Sequence, residues 1–379
     1  MKICFLSSMH SPRDKRVFDK EAISLVLAGH AVTHLCPGDA TEPGIDRGVK
    51  IVTYARPAGI KGRLLQFFRL YRMASRENAD CYHCNEVDSW FVGVLLKIFR
   101  KKRCVFDVHE HYPSTFAESR FPKWLQPMVA GSVRLVFRVL TPFTDRLILA
   151  KQTVSDDFHC SESKKVLVRN FTPLAGVDFA EDRCSILEGE TITLVHLGLF
   201  NKVRGWPRVL DALNIMRHKN VRLEIIGEFN DGTRGEFESV VRTYKLESRI
   251  VVHDWMPFER AFQYLTNAHI GLVVFQPGIR NHVYAMPHKM FDYMAAGLAV
   301  ICPDFAVEVA PVIQETGCGL LVDTSKSEDL AEKLDDLVSN PDLIHKMGLK
   351  GQQAVRDQYN WEVEVGHLVK MYKAWDRDK

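Results

Sequence analysis

MKICFLSSMHSPRDKRVFDKEAISLVLAGHAVTHLCPG, residues 1–38, carries the rhythm on which the fold rests. The run Lys2–Ser7 is apolar without alternation from Ile3 to Leu6, as a strand covered on both faces of a parallel sheet should be. Val17–Ala28 has a helical pattern closed by Gly29, where a C-terminal cap belongs. Ala31–Cys36 is a second apolar run. Strand, helix, strand in this order makes a right-handed βαβ unit.

The rhythm continues outward from that stretch. Val49–Tyr54, Cys104–Val108, Arg146–Ala150 and Lys165–Arg169 read as further strands of the first half. Ile192–His196, Arg222–Ile226, Ile250–His253, Ile270–Phe275 and Ala299–Cys302 repeat it in the second. Between the halves, residues 171–190 have Pro, Gly and acids without a sustained period, which reads as a linker. Helices are expected at Glu328–Val338, Asp342–Asp357 and Trp361–Trp375. The expected architecture is α/β, with two Rossmann-like doubly wound domains in series, 1–175 and 186–358, and a cleft between their strand ends.

Composition narrows the function. The 379 residues are 46% hydrophobic and 26% charged, the balance of a globular protein. No apolar run reaches the ~18 residues of a membrane span, and the opening apolar run is too short for a signal peptide. Nine scattered cysteines then suggest reduced thiols in a cytoplasm. Residues 1–185 hold 28 Lys+Arg against 20 Asp+Glu, while the remainder is net acidic. A basic front half suggests that one domain faces an anionic surface or substrate.

Several chemistries are disfavoured. No G-x-G-x-x-G, G-x-x-x-x-G-K-[ST] or G-x-S-x-G is present, which argues against a dehydrogenase, a P-loop nucleotidase and an α/β-hydrolase. Cys81-Tyr82-His83-Cys84 lacks a second ligand pair for zinc and sits where a strand belongs. No DNA- or RNA-binding module appears, so nucleic acid is not an expected partner.

Three stretches carry candidate chemistry. CVFDVHEHY, residues 104–112, is a strand ending in Asp107, His109, Glu110 and His111. His109 there either supports a reacting group or is a structural histidine bonding a neighbouring loop. HLGLFNKVRG, residues 196–205, is a strand, a glycine turn and two cations before a helix at Trp206-Pro207. Lys202, Arg204 and helix N-terminal amides there form a natural diphosphate cradle, unless this is a solvated turn. MPHKMFDYMAAG, residues 286–297, starts a helix at Pro287 and ends it at Gly297. Lys289 opposes the helix dipole, and Asp292 follows on the same face; a phosphate and a ribose, or a simple surface pair, would account for them.

The segment 60–76, IKGRLLQFFRLYRMASR, has five cations and no acid among large apolar residues. It is a membrane-surface helix or a core helix with a solvated basic face. At the far end, Trp361, Val365, Leu368, Val369, Tyr372 and Trp375 form an apolar stripe that needs a partner.

Together these stretches resemble the retaining glycosyltransferase family 4, two-domain enzymes of the GT-B fold. LVLAGHAVTHLCPG is similar to the family's L-x-x-x-G-H-x-V-x-V segment, and VFDVHEHYP to a branch with a D-x-H-E motif. HLGLFNKVRG resembles the donor loop, and MPHKMFDYMAAGLAVICPD the P-x-K-x-x-E-Y-M-A-x-G-x-P-V segment. The resemblance implies that a nucleotide sugar, UDP-linked by preference, gives its sugar to a hydroxyl acceptor with retention.

Residue by residue, the resemblance puts His109 near the transferred sugar, Arg204 on the donor diphosphate and Asp292 on its ribose. The first acid of the family's E-x7-E pair corresponds to Tyr284, and the Arg after the loop glycine to Leu199. The second phosphate contact then falls to Lys202 or Lys289, with Tyr284, Pro287 and His288 beside the donor sugar. No cofactor or obligatory metal is expected. The resemblance also implies that Trp361–Trp375 crosses back onto the first domain, forming with residues 171–190 a two-stranded hinge for cleft closure. Expected partners are the nucleotide sugar, a lipid-linked or saccharide acceptor and an anionic membrane, for a cytoplasmic enzyme peripheral on the inner face, in cell-surface polysaccharide or glycolipid synthesis. Two rival readings are a nucleotide-sugar 2-epimerase of the same architecture and a non-catalytic sugar-nucleotide-binding protein.

Overall fold

The computed structural model describes residues 1–38, 44–56, 59–118, 120–175, 177, 179 and 189–377. Most of the segment read as a linker, residues 171–190, lies outside the described residues. The chain divides into two compact units, Met1–Asn170 with Trp361–Lys379, and Phe171–Asn360. The second begins earlier than residue 186 because Phe171 packs edge-on to Phe291 and Tyr359 in that unit's core.

The first unit carries an eight-stranded sheet: β1 (Lys2–Leu6), β2 (Ala31–Pro37), β3 (Gly44–Asp46), β4 (Val49–Tyr54), β5 (Cys81–Cys84), β6 (Arg103–Val108), β7 (Arg146–Leu149) and β8 (Lys165–Leu167). Its order is β3-β4-β2-β1-β5-β6-β7-β8, parallel except for β3 against β4. The second carries β9 (Ile192–Leu197), β10 (Val221–Ile226), β11 (Ile250–His253), β12 (Ile270–Leu272), β13 (Ala299–Pro303) and β14 (Gly319–Val322). These six strands, ordered β11-β10-β9-β12-β13-β14, are all parallel.

Among the parallel strands of each sheet the chain order reverses once, between β1 and β5 and between β9 and β12. Loops leaving the carboxyl ends of adjacent strands part there, which opens a crevice in a doubly wound sheet. Both candidate clusters lie at these reversals.

Three local features depart from the sequence pattern. Val17–Ala22 is π-helical, and only Ile23–Leu27 is α-helical. Glu21 N–H reaches back to the Arg16 carbonyl at 3.0 Å, and this wider turn carries Arg16, Lys20 and Glu21 into the interior. Two strands, β3 (Gly-Ile-Asp) and β14 (Gly-Leu-Leu-Val), were not expected from the sequence. Strand β12 stops at Leu272, although Val273–Phe275 continues buried.

Strand β5 resolves the C-x-x-C. Alternation sends Cys81 to one face of the sheet and Cys84 to the other, into separate core clusters, so the two thiols do not converge on one ion. The helix Val87–Arg100 lies against the Cys84 face at Gly93, where a Cβ would stand 2.4 Å from the Cys84 sulfur.

The last helix, Trp361–Arg377, belongs to the first unit. Its stripe of Trp361, Leu368, Tyr372 and Trp375 covers the sheet face built by Ile3, Phe5, Cys81, Val105 and Ile148. Glu364 accepts two guanidinium bonds from Arg169, and the Tyr372 hydroxyl lies 2.9 Å from Nδ1 of His83.

Candidate functional site

In the first unit, the loop after β1 and the start of the helix after β5 meet through Glu86. Its carboxylate accepts backbone N–H bonds from Ser8, Met9 and His10 at 2.7, 2.9 and 3.1 Å. Glu86 also lies 2.6 Å from Nδ1 of His10. Burial alone would raise its pKa, but the His10 bond and these amides outweigh it and hold the carboxyl below its usual range. His10 is raised in turn: burial opposes its charge, and Glu86 prevails.

Nε2 of His10 lies 3.3 Å from Nδ1 of His109, and the rings meet edge-on at 4.9 Å. Nε2 of His109 lies 2.7 Å from Asp107, at the end of β6. Asp107 is buried and gripped by Arg16 through Nε at 3.2 Å and Nη2 at 2.9 Å. Burial acts to raise its pKa, but Arg16 and His109 hold it well below the usual carboxylate range. Glu21, 2.9 Å from the same guanidinium, is pushed well up by burial, which together with the Asp107 charge outweighs the pull of Arg16. Glu21, His83 and Asp107 could reach one ion, but the Arg16 guanidinium already supplies the positive charge there.

Of the four polar residues expected to reach a ligand after β6, His109 presents an edge. Asp107 orients it. His111 turns inward to Ser114 and Asp157 at 2.7 and 3.0 Å, and exposed Glu110 accepts from Thr115.

In the second unit, the crossing of the β9 and β12 loops is built on glycine. Gly205 has φ +89°, and a Cβ there would stand 2.2 Å from the Val274 carbonyl oxygen. A Cβ on Gly227 would meet the Gly198 carbonyl oxygen at 2.1 Å. This close packing places the Arg204 guanidinium over the Phe275 ring at 4.5 Å, with the Lys289 ammonium 6.0 Å from the same ring. Lys289 Nζ is also 3.0 Å from Nε2 of His196, whose ring is fully buried at the end of β9. Burial, then the nearby Arg204 charge, drives the Lys289 pKa well below that of an ordinary lysine. His196 is held neutral by burial and by Lys289. His282 completes the group, stacked on Phe275 at 4.9 Å with Nδ1 2.9 Å from the Gln276 carbonyl oxygen.

The sequence-derived candidates divide accordingly. Arg204 and Lys289 come together. Lys202 does not join them: its ammonium pairs with Glu236 at 2.6 Å on the exposed side of the turn. Asp292 is 1% exposed and its Oδ1 accepts a 2.6 Å bond from the Thr172 hydroxyl, so it is not half of a surface Lys–Asp pair. Pro287 caps the helix His288–Ala295, His288 is its half-buried first residue, and Tyr284 caps the short helix Arg280–Val283.

Residues the sequence did not single out include His10, Arg16, Glu86, His196, Phe275 and His282. Arg16, Lys20 and Glu21 carried one legible signal, three charges recurring on the side of Val17, Ala22 and Leu25.

Two Rossmann-like units of this kind define the GT-B class, and the chain is a glycosyltransferase of that class. Residues 178–354 match the family model described as glycosyl transferases group 1, and residues 16–170 match glycosyltransferase family 4. The chain belongs to these GT4-type glycosyltransferases. A sucrose-phosphate synthase from Thermosynechococcus elongatus superposes with a TM-score of 0.77 at 16% identity, over 100% of both chains. HepE from Anabaena, in complex with UDP and glucose, gives 0.72 at 14% identity over 99% of this chain and 100% of that one. WaaG, a glycosyltransferase of lipopolysaccharide biosynthesis, gives 0.69 at 14% over 96% and 97%. A comparison with curated protein sequences gives no match.

Proposed function

We propose that the chain is a retaining glycosyltransferase that takes a hexosyl or N-acetylhexosaminyl unit from a UDP-sugar to a hydroxyl acceptor. The observation that carries this reading is the Arg204–Lys289 pair over Phe275. An ammonium whose charge is disfavoured by burial and by a second cation regains it when a dianion arrives. A diphosphate meets that condition, and the HepE complexes with UDP and UDP-glucose support the choice of nucleotide.

In the reaction, the bond between the anomeric carbon and the phosphate oxygen breaks and a bond to the acceptor oxygen forms on the same face. The acceptor's proton goes to the departing phosphate oxygen. Arg204 and Lys289 stabilise that oxygen's charge without requiring a metal. His109, oriented by Asp107, supports the charge that develops on the sugar. Calorimetric titration with UDP-sugars tests the donor assignment: Arg204→Ala should abolish binding, and unaltered binding refutes it. Incubating UDP-N-acetylglucosamine alone and assaying for its epimer separates this activity from 2-epimerisation.

The acceptor is assigned to a lipid-borne hydroxyl on an anionic membrane. The helix Gly59–Glu77 exposes Leu65 and Phe68 beside Arg63, Arg69, Arg72 and Arg76, while Phe67 and Tyr71 pack inward on the core. The side chain of Lys61 lies outside what is described. A second helix, Gln126–Leu140, extends the surface: Trp124, just before it, Met128, Leu135 and Val139 are exposed along one stripe. Residues 120–144 contain four cations and no acid. Basic, apolar surfaces of this kind suit an interface that is both anionic and oily.

A further inference from the structure

We propose that His10 and His109 share one proton and form a singly charged imidazole–imidazolium pair, in which His10 is the positioning residue that orients and charges His109. This rests on the reading of His109 as the residue beside the transferred sugar.

Glu86 lies 2.6 Å from Nδ1 of His10, and Asp107 lies 2.7 Å from Nε2 of His109. Both carboxylates are ionised, held so by backbone amides on one side and by Arg16 on the other. An ionised carboxylate only accepts, so each nitrogen facing one must carry hydrogen. The remaining nitrogens, Nε2 of His10 and Nδ1 of His109, face each other at 3.3 Å. With two neutral rings, two lone pairs would point at each other. One further proton between them turns the contact into a hydrogen bond, and the pair then carries one positive charge.

The surroundings favour a single charge. His10 is faced by Glu86 from the helix after β5, by Asp14 of its own loop, by Asp107 and His109 from β6 and by His34 from β2. His109 is faced by Asp107 and His10, with Arg16 and His83 behind Asp107. Glu86, Asp14 and Asp107 oppose the one guanidinium of Arg16 around the two rings, so one proton is favoured. A second proton would place two imidazolium ions in contact. The side chains of His10 and His109 remain 23% and 12% exposed, so the charged edge is open to a ligand. Sequence order hides the pair, because Glu86 and His10 meet only where β1 adjoins β5.

The test is nitrogen-15 NMR of the histidine rings in the whole protein without sugar nucleotide. The expected result is that both rings respond to pH together, at a common midpoint, with Nδ1 of His10 and Nε2 of His109 protonated throughout. Independent titration of the two rings overturns the proposal, and this measurement needs no variant. In His10→Gln, the amide N–H still donates to His109 but has no proton to lose. Its kcat/KM should fall about tenfold, the loss of one charge-assisted bond, and should lack the alkaline decline that the shared proton predicts for the natural enzyme. His10→Phe, with no donor, should fall further. A His109 ring titration unchanged in His10→Gln also refutes the pair. A protein that titrates as a pair yet binds no UDP-sugar overturns the donor assignment alone.

Discussion

Lys289→Met should move two properties in opposite directions. In the ligand-free protein the ammonium is disfavoured by burial and by Arg204, so a thioether of similar length relieves that cost while keeping the contact with Phe275. The free protein should therefore melt at the natural temperature or above it. Donor binding should weaken, because a charge-assisted bond to phosphate contributes about 1.5–3 kcal/mol, or roughly 10- to 150-fold in Kd. Thermal shift reads both effects. At 100 times the natural Kd, UDP-sugar stabilises the natural protein by about 2.7 kcal/mol. With Kd raised 30-fold, the same concentration gives about 0.9 kcal/mol. At roughly 2–4 °C per kcal/mol, the ligand shift should fall from about 5–11 °C to about 2–4 °C. A variant that melts lower without ligand and keeps the full ligand shift would show that Lys289 is a structural cation rather than an anion receptor.

Gly205→Ala should destabilise the second unit by at least about 2 kcal/mol in urea titration, since the new Cβ meets a backbone carbonyl oxygen at a left-handed φ. Stability should fall as pH drops below about 6.5, because fully buried His34 is held at about 4 and the unfolded chain takes up the proton first. That residue alone contributes a loss of about 2 kcal/mol at pH 5 relative to pH 7, and His34→Asn should flatten the pH dependence of the urea midpoint. Charge reversal of Arg63, Arg69 and Arg72 should reduce co-sedimentation with anionic vesicles and leave neutral vesicles unaffected; unchanged sedimentation in low salt rules the membrane surface out.

The parallel sheets were legible because their strands are continuously apolar, a pattern that only two covered faces permit. Strands β3 and β14 were not: β3 is Gly-Ile-Asp, with one apolar residue, and β14 begins on a glycine just after the helix-ending Gly317. The helix at residue 17 was placed well but given the wrong winding, because hydropathy does not record which carbonyl an amide chooses. In the sites, Arg204 and Lys289 could be read as cations at the starts of helices, where only an anion makes their placement favourable. Lys202, two residues from Arg204, looked equivalent, and only the turn geometry sends it outward to Glu236. Asp292 was assigned by resemblance, and its burial against Thr172 depends on a residue 120 positions away. His10 and Glu86 join across the reversal between β1 and β5, which no local pattern marks.

The return of the last helix to the first sheet has a consequence for biosynthesis. The second unit is one uninterrupted segment, Phe171–Asn360, whereas the first is completed only by Trp361–Lys379. As the chain leaves the ribosome, the second unit has all of its own residues while the first sheet still lacks the helix that covers Ile3, Phe5 and Ile148. At about 5–20 residues per second, the 190 residues between Asn170 and Trp361 keep that apolar face open for roughly 10–40 seconds. The nascent first half is therefore a natural client for a chaperone, and the unit synthesised first is the one that finishes folding last.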